Sequence, residues 1–234
     1  MFFDSWPDGI IIKREPNPTT REWSNITIVV CEFYSFSSRE IWVLSSAVSS
    51  SSVVCRYLQV SGCRFVSSKS GSAGIKFNNG STLVAPEVLV VNDNIIDTVG
   101  LCIDGFGYEF WHVQISGNQF RASGSQAVNL ITAQLGAGQF GPGTLDFCFI
   151  NNTIIGDSAA TGQRTARFEG IFDPCVIGNC VVSASQTGFL FWNSKRPIVK
   201  DNHILEAVAH GMQFTWMSDS SVDKTYKIMS AVIE

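Results

Sequence analysis

The sequence predicts an all-β fold, a parallel β-helix solenoid of about seven rungs, from a repeated motif and its spacing. Six short segments share an apolar residue at position −3, a ladder residue at position 0 and an apolar residue at position +2. Their ladder residues are Cys63, Asn94, Asn118, Asn152, Asn179 and Asn202. An earlier copy has Cys31 in this position, and six steps cover the 171 residues from Cys31 to Asn202, a mean of 28.5 residues per step. A period of roughly 20 to 50 residues built from short strands indicates a solenoid.

Each unit carries two short alternating segments, which predict stacked parallel strands. The segment before the ladder residue predicts strands at 26–30, 58–61, 87–92, 112–116, 145–150, 174–177 and 198–200. A second segment, after the ladder residue, lies at 41–43, 75–77, 101–103, 128–130, 166–168, 189–191 and 212–214, with 166–168 placed by analogy. Alternation with a period of two indicates strands, and each unit can bury its apolar residues only by stacking on the next.

The ladder asparagines are interpreted as architecture and not as ligand contacts. Asn side chains stacked at a bend between two sheets can hydrogen-bond to one another and to backbone groups that the turn leaves without partners. Position −1 is mostly Gly, Asp or Asn, which tolerate the backbone angles of such a turn. The residues at position +2 predict a core column of Phe33, Phe65, Ile96, Phe120, Ile154, Val181 and Ile204.

The composition narrows the functional classes. Only 15% of the 234 residues are charged and the net charge is −4, so no broad positive field is available to hold nucleic acid or an anionic membrane. No apolar run approaches the roughly 18 residues of a membrane span, and the first residues lack the pattern of an export signal. The seven cysteines form no CxxC pair, which predicts reduced thiols in a chain made in a cytosol, with no metal site and no cofactor.

The repeat predicts a single domain over residues 1–234. Residues 25–216 are predicted to form the rungs, with 1–24 as an N-terminal cap or entry segment and 217–234 as a C-terminal segment. The end segments are assigned this way because a β-helix needs its end rungs covered. The pattern is compatible with one module of a longer protein.

The stacked units resemble the right-handed, single-stranded parallel β-helix superfamily that includes pectate lyase-like enzymes and bacteriophage tailspikes. Long irregular units, unpaired cysteines and many aromatic residues are most similar to tailspikes. The resemblance implies a right-handed β-helix that forms a homotrimer in the virion tail, binds bacterial capsule or O-antigen polysaccharide and cleaves it by endoglycosidic hydrolysis. Two alternatives stay open, a non-catalytic receptor-binding adhesin and a pectate-type lyase. Arg196-Pro197 resembles part of a lyase motif, but no cluster of Asp residues accompanies it in the sequence.

Aligning the second strands by their apolar residues predicts two outward columns on one face. The first contains Trp42, Lys76, Cys102, Asn129, Arg167, Leu190 and Gln213, and the second contains Leu44, Asn78, Asp104, Ile131, Glu169, Trp192 and Thr215. A mixture of carboxylates, amides, cations and indole rings suits an oligosaccharide, although ordinary solvent-facing strands can have the same composition. The apolar members Trp42, Leu190 and Ile131 are surface that a trimer would cover.

Two outward carboxylates are the predicted catalytic pair. If Asp104 and Glu169 share a column two rungs apart, their backbones are about 9.6 Å apart. Flexible side chains can then bring the two carboxyl groups to the ~6.5–9.5 Å separation of an inverting glycosidase. Glu169 is then the general acid and Asp104 the general base. The predicted substrate-binding residues are Trp192, Lys76, Asn129, Arg167, Gln213 and Trp216. The carboxylates that stay open as alternatives are Asp146, Asp157, Asp173, Asp201 and Glu206.

Overall fold

A computed structural model shows an all-β chain in which three parallel sheets are stacked as a parallel β-helix. The structure describes residues 2–4, 8–14, 23–34, 39–45, 52–53, 55–68, 72–78, 84–108, 112–122, 127–132, 146–156, 164–171, 173–182, 186–192, 194, 196–215 and 232–233. Within these ranges there is no helix. A helix long and apolar enough to cross a bilayer is therefore also absent from them.

Each of the three sheets contains eight strands in the described ranges, and every strand is parallel to its neighbours. Sheet I consists of Phe2–Asp4 (β1), Glu32–Tyr34 (β4), Arg64–Ser67 (β8), Ile95–Thr98 (β12), Gln119–Ala122 (β15), Thr153–Ile155 (β18), Cys180–Val182 (β21) and His203–Leu205 (β24). Sheet II consists of Asp8–Arg14 (β2), Arg39–Ser45 (β5), Ala73–Asn78 (β9), Leu101–Tyr108 (β13), Val128–Thr132 (β16), Arg164–Glu169 (β19), Thr187–Trp192 (β22) and His210–Thr215 (β25). Sheet III consists of Trp23–Val29 (β3), Cys55–Ser61 (β7), Val88–Asn92 (β11), His112–Ser116 (β14), Asp146–Ile150 (β17), Cys175–Ile177 (β20), Ile198–Lys200 (β23) and Val232–Ile233 (β26). Ser52–Val53 (β6) and Val84–Ala85 (β10) form a separate pair.

One turn of the chain contributes one strand to each sheet, and we call this turn a rung. The described strands form eight rungs, one more than predicted. The additional rung is the first, because β1 and β2 pair with β4 and β5 although they lie in the predicted cap segment 1–24. The repeat does not reveal this rung in the sequence, because its ladder position would precede β1, at the very start of the sequence. At the other end, β26 pairs with β23 from within the segment 217–234.

The strands predicted before the ladder residues are confirmed as sheet III, with ends that differ by up to three residues. The position +2 residues lie in sheet I, and all but the half-buried Ile204 are buried in the core. Aromatic rings stack along the solenoid axis, as in the pair Phe33 and Phe65, whose ring centroids are 4.7 Å apart. The core is therefore a set of apolar columns that continue from rung to rung.

The asparagine ladder is confirmed at the bend between sheet III and sheet I. Asn118 Nδ2 donates to Asn152 Oδ1 at 3.0 Å, and Asn118 Oδ1 accepts from Asn94 Nδ2 at 2.9 Å and from the Asn94 backbone N–H at 3.0 Å. The same pattern continues through Asn179 to Asn202. Cys63 extends the ladder, because its backbone N–H donates to Asn94 Oδ1 at 2.8 Å.

The residue before each ladder position adopts the left-handed backbone region. Positive φ angles occur at Val30, Gly62, Asp93, Gly117, Asn151, Gly178 and Asp201. Val30 is the only β-branched residue among these seven, with φ of 51° and 76% of its surface exposed. A β-branched side chain is strained in this region, at a cost of about 1–2 kcal/mol.

Val30→Asn is expected to raise the free energy of unfolding by about 1 kcal/mol, because asparagine tolerates this backbone conformation and Val30 buries little surface. Urea unfolding measures the change. Val29→Asn is the matched control, since Val29 is also exposed but belongs to strand β3. A Val30→Asn protein no more stable than the wild type would contradict the interpretation.

One predicted register is wrong. In β13, Ile103 pairs with Ile75 and Gly105 pairs with Phe77, so the strand is shifted by two residues from the predicted alignment of 101–103. Gly105 occupies an inward position where an added Cβ would lie 2.8 Å from the Leu130 side chain. Because glycine has no side chain, an alignment on apolar residues cannot recognise this position. The placement of 166–168 by analogy is confirmed, since Ala166 pairs with Val128 and with Phe189.

Candidate functional site

The outer surface of sheet II brings together most of the residues predicted to bind substrate. Here alternate residues point into the core and outward, and the outward ones are in register from rung to rung. The first outward column is Ile11, Trp42, Lys76, Asp104, Asn129, Arg167, Leu190 and Gln213. Glu169, Trp192 and Thr215 belong to the neighbouring column. We call these two columns the sheet II face.

Asp104 lies at the centre of a polar cluster on this face. Lys76 Nζ is 3.1 Å from Asp104 Oδ2, and Asn129 Nδ2 donates to Asp104 Oδ1 at 3.1 Å. The three residues occupy neighbouring rungs of one column, so the strand spacing itself brings them into contact. Asp104 is only 7% exposed, and its contacts with an ammonium group and an amide satisfy both of its carboxyl oxygens.

A second cluster joins a cation, a carboxylate and an indole ring. Arg167 Nη2 donates to Glu169 Oε2, and the Arg167 guanidinium lies over the Trp192 ring with Cζ 4.7 Å from the ring centroid. Glu169 pairs with Trp192 in register, which confirms the prediction that the ring lies one rung above the carboxylate. Glu169 is 3% exposed, so its carboxyl group is held against the Arg167 guanidinium away from bulk solvent.

The prediction that Asp104 and Glu169 share an outward column is wrong. Asp104 pairs with Asn129 and Asn129 pairs with Arg167, whereas Glu169 lies two residues further along β19. Two rungs and two residues separate the backbones by roughly 12 Å, compared with about 9.6 Å within a single column. The cause is the register of β13, where the inward Gly105 moves Asp104 into the first column.

Several other site predictions have different outcomes. Gln213 lies in the first column, as predicted, and is half-buried. Leu190, predicted as exterior surface for a trimer, is 1% exposed within the single chain. Cys102, predicted to point outward, is fully buried, and its thiol contacts the Ile96 carbonyl oxygen at 3.4 Å. The predicted groups that lie outside the described part of the chain are Trp216, Asp157 and the side chains of Leu44, Asn78 and Ile131.

Two adjacent buried polar atoms on the sheet II face have no hydrogen-bond partner. They are Asn129 Oδ1 and Arg167 Nε, and they belong to neighbouring residues of one column. The bond from Asn129 Nδ2 to Asp104 fixes which end of the amide is the free acceptor. One acceptor and one N–H donor are thus held side by side, and sequence reasoning could not have found them, because they depend on which side chains are already paired.

Within the described ranges, no group of three or more His, Cys, Asp and Glu side chains is arranged to hold a metal ion. The carboxylates of the sheet II face are paired with Lys76 and Arg167 instead. The described residues of this face show hydrogen bonding, charge pairing and a cation over an indole ring.

Comparisons with protein-family models, curated proteins and solved structures find no match for this chain. The class of protein is accordingly defined by its fold and its site alone. It is an all-β parallel β-helix with an asparagine ladder and one polar, tryptophan-containing face.

Proposed function

We propose that the chain is a tailspike-like β-helix that binds bacterial surface polysaccharide along the sheet II face. The observation that carries this proposal is the adjacent pair of unsatisfied atoms, Asn129 Oδ1 and Arg167 Nε. A sugar hydroxyl both donates and accepts, so a single hydroxyl group can serve the two atoms together. Buried polar atoms without partners are rare in proteins. Both atoms are covered in the free chain, so the proposal requires the side chains over them to move aside when a sugar hydroxyl supplies the missing bonds.

The surrounding residues suit a sugar chain laid along the solenoid axis. The rungs repeat every ~4.8 Å, so the half-buried polar residues of the first column lie at multiples of this spacing along the axis; they are Lys76, Asn129, Arg167 and Gln213. Trp192 supplies a half-exposed indole for the apolar face of a sugar ring, next to the unsatisfied pair. Lys76 is 29% exposed at its side chain and can contact acidic substituents. The proposal includes the homotrimer and the virion tail location implied by the tailspike resemblance.

Binding is better supported than cleavage because of the charge pairing. A general acid must deliver a proton to the oxygen of the scissile bond, whereas the Glu169 carboxyl group is 3% exposed and bonded to Arg167. The roughly 12 Å backbone offset between Asp104 and Glu169 also exceeds the distance expected for a shared column. Endoglycosidic hydrolysis is the second candidate, since both carboxylates do lie on the face that would contact the sugar.

Trp192→Ala is expected to weaken polysaccharide binding by about 10- to 100-fold, because it removes the only aromatic surface next to the unsatisfied pair in the described part of the face. Isothermal titration with capsule and O-antigen preparations measures the affinity. Asn129→Ala is expected to cost about 5- to 10-fold through loss of one acceptor. Melting temperatures of both variants separate loss of binding from loss of folding.

Matched controls lie on the outer face of sheet III. Tyr57→Ala removes a half-exposed aromatic residue and Gln114→Ala an exposed amide, and both should retain wild-type affinity. Equal losses in the sheet II and sheet III variants, or no binding to any preparation, would contradict the proposal. Size-exclusion chromatography of the bound polysaccharide separates the two candidates. Unchanged chain length is the expected result. Shortening would establish cleavage, and an unsaturated product that absorbs in the ultraviolet would then identify a lyase and not a hydrolase.

A further inference from the structure

Two free cysteines meet on the outer face of sheet III. Cys148 in β17 and Cys175 in β20 are directly in register on neighbouring parallel strands. Both are half-exposed, while the residues beside them, Phe147, Phe149 and Val176, are buried in the core. The alternation of the strands therefore directs both thiols outward, one above the other.

The geometry suits a bond between the two sulfur atoms. Neighbouring strands lie about 4.8 Å apart, which falls inside the ~4.4–6.8 Å range of Cα separations in disulfides. In-register side chains of parallel strands project in the same direction, so their Cβ atoms are separated by about the strand spacing. This is slightly wider than the ~3.5–4.5 Å usual for a disulfide, and such strain makes the bond easier to reduce.

We propose that Cys148 and Cys175 form a reversible disulfide that cross-links the fifth and sixth rungs when the protein meets a small-molecule disulfide such as oxidised glutathione. The site is separate from the polysaccharide face and does not depend on the proposed function. The 27-residue interval between the two cysteines gives no sign of the pair in the sequence, since the adjacency arises only from stacking.

The reaction is two successive thiol–disulfide exchanges. The Cys175 thiolate attacks one sulfur of the small-molecule disulfide, forming a mixed disulfide and releasing one small-molecule thiolate, which takes up a proton from solvent. Cys148 then loses its proton and attacks Cys175 Sγ, which forms the protein disulfide and releases the second thiol. Two electrons pass from the two protein thiols to the small-molecule disulfide, which is reduced to two thiols. Burial, followed by the nearby Cys175 and Asp146, raises the pKa of the Cys148 thiol.

The cross-link connects the two rungs that carry Asn129 and Arg167 on sheet II. Rung five consists of β15, β16 and β17, and rung six of β18, β19 and β20. A covalent bond between β17 and β20 therefore holds together the rungs whose spacing places the two unsatisfied atoms side by side.

The test is to incubate the full chain with oxidised glutathione and to map its cysteines by peptide mass spectrometry without reduction. A peptide pair joined through Cys148 and Cys175 is expected, together with its disappearance on addition of reduced glutathione. The built-in control is Cys180, which is half-exposed on sheet I and has Thr153 and His203 as its register neighbours. It should stop at the mixed disulfide with glutathione.

Two serine variants sharpen the result. Cys148→Ser is expected to leave Cys175 as a stable mixed disulfide, because the second thiol that resolves it is missing. Cys175→Ser should abolish the cross-link as well. Separate glutathione adducts on both cysteines of the wild type, or no modification of either, would overturn the proposal. A cross-link joining Cys148 or Cys175 to another cysteine would overturn it too.

Discussion

Replacing Glu40 by glutamine is expected to raise the free energy of unfolding by about 3 kcal/mol at pH 7 and to leave it nearly unchanged at pH 4.5. Glu40 is 0% exposed, and neither of its carboxyl oxygens has a hydrogen-bond partner. Burial raises its pKa from 4.5 to about 8, and the interaction with its own backbone opposes that shift only in part. The folded protein therefore holds Glu40 as a neutral acid at neutral pH.

The position of Glu40 explains why its carboxyl group is isolated. Glu40 follows Arg39, which pairs with Asp8 on one neighbouring strand and with Ala73 on the other. The next residues of those strands, Gly9 and Gly74, therefore lie beside Glu40 on the neighbouring rungs. An added Cβ on Gly74 would lie 2.6 Å from the Ile96 side chain in the core, so this row of positions faces the interior. The two glycines leave room for a long side chain, but they offer it no polar partner.

The sign of the pH dependence follows from the raised pKa. As the pH increases from 4.5 to 8, the unfolded chain loses the Glu40 proton and the folded chain keeps it, so the free energy of unfolding falls by about 1.4 kcal/mol per pH unit. The stability that the folded protein gains from keeping Glu40 protonated is complete below pH 4.5 and is lost as the pH rises through about 8. Glutamine has nearly the same shape but does not titrate in this pH range. The free energy of unfolding of the Glu40→Gln protein therefore lacks the pH dependence that Glu40 causes.

Urea unfolding at pH 4.5 and at pH 7 measures both proteins. Glu87→Gln, at a half-exposed position, is the matched control for the change in net charge. Wild-type and Glu40→Gln proteins with parallel pH profiles would show that Glu40 is not a buried neutral acid.

Asn118→Ala is expected to lower the free energy of unfolding by about 3–5 kcal/mol, because this one side chain bonds to the ladder residues of both neighbouring rungs. The Asn118 side chain also donates to the Val91 and Ser116 carbonyl oxygens at 2.9 and 3.0 Å. Alanine would leave the Asn94 backbone N–H buried without its partner and would remove one of the two donors to Asn152 Oδ1, which keeps the Asn118 backbone N–H. Each unsatisfied buried group costs about 1–3 kcal/mol.

The matched control is the next residue in the chain. Gln119 is exposed on the outer side of sheet I, and Gln119→Ala should change the free energy of unfolding by no more than about 0.5 kcal/mol. Asn118→Cys is expected to lose less than Asn118→Ala, because Cys63 occupies the same ladder position, where its sulfur accepts from the Cys31 backbone N–H. Equal stability of the Asn118→Ala and Gln119→Ala proteins would contradict a structural role for the ladder.

The fold could be predicted because its main constraint repeats in the sequence. Each ladder residue, with apolar residues at fixed offsets, marks the bend between sheet III and sheet I, so the strands on either side follow. The register of β13 could not be predicted in the same way. There the core position is a glycine, Gly105, whose space is occupied by Leu130 from the next rung. A missing side chain leaves no apolar signal in the sequence.

The sequence predicted which residues lie on the candidate face, but it did not predict which of them contact one another. Lys76, Asn129, Arg167 and Trp192 do lie on one face, because strand alternation alone decides which side a residue faces. Their pairing depends on register to within one residue, so the shift of β13 turned Asp104 from a predicted partner of Glu169 into a partner of Lys76. The ion pairs Lys76–Asp104 and Arg167–Glu169, which support binding over acid catalysis, could not be predicted from the spacing of the repeats in the sequence.

The most direct test of the proposed function is a crystal structure of the chain with an oligosaccharide released from the polysaccharide that binds most tightly. A sugar ring should stack on Trp192, with one hydroxyl within hydrogen-bond distance of both Asn129 Oδ1 and Arg167 Nε. An oligosaccharide bound on the outer face of sheet I or sheet III, with the sheet II face unchanged, would contradict the account.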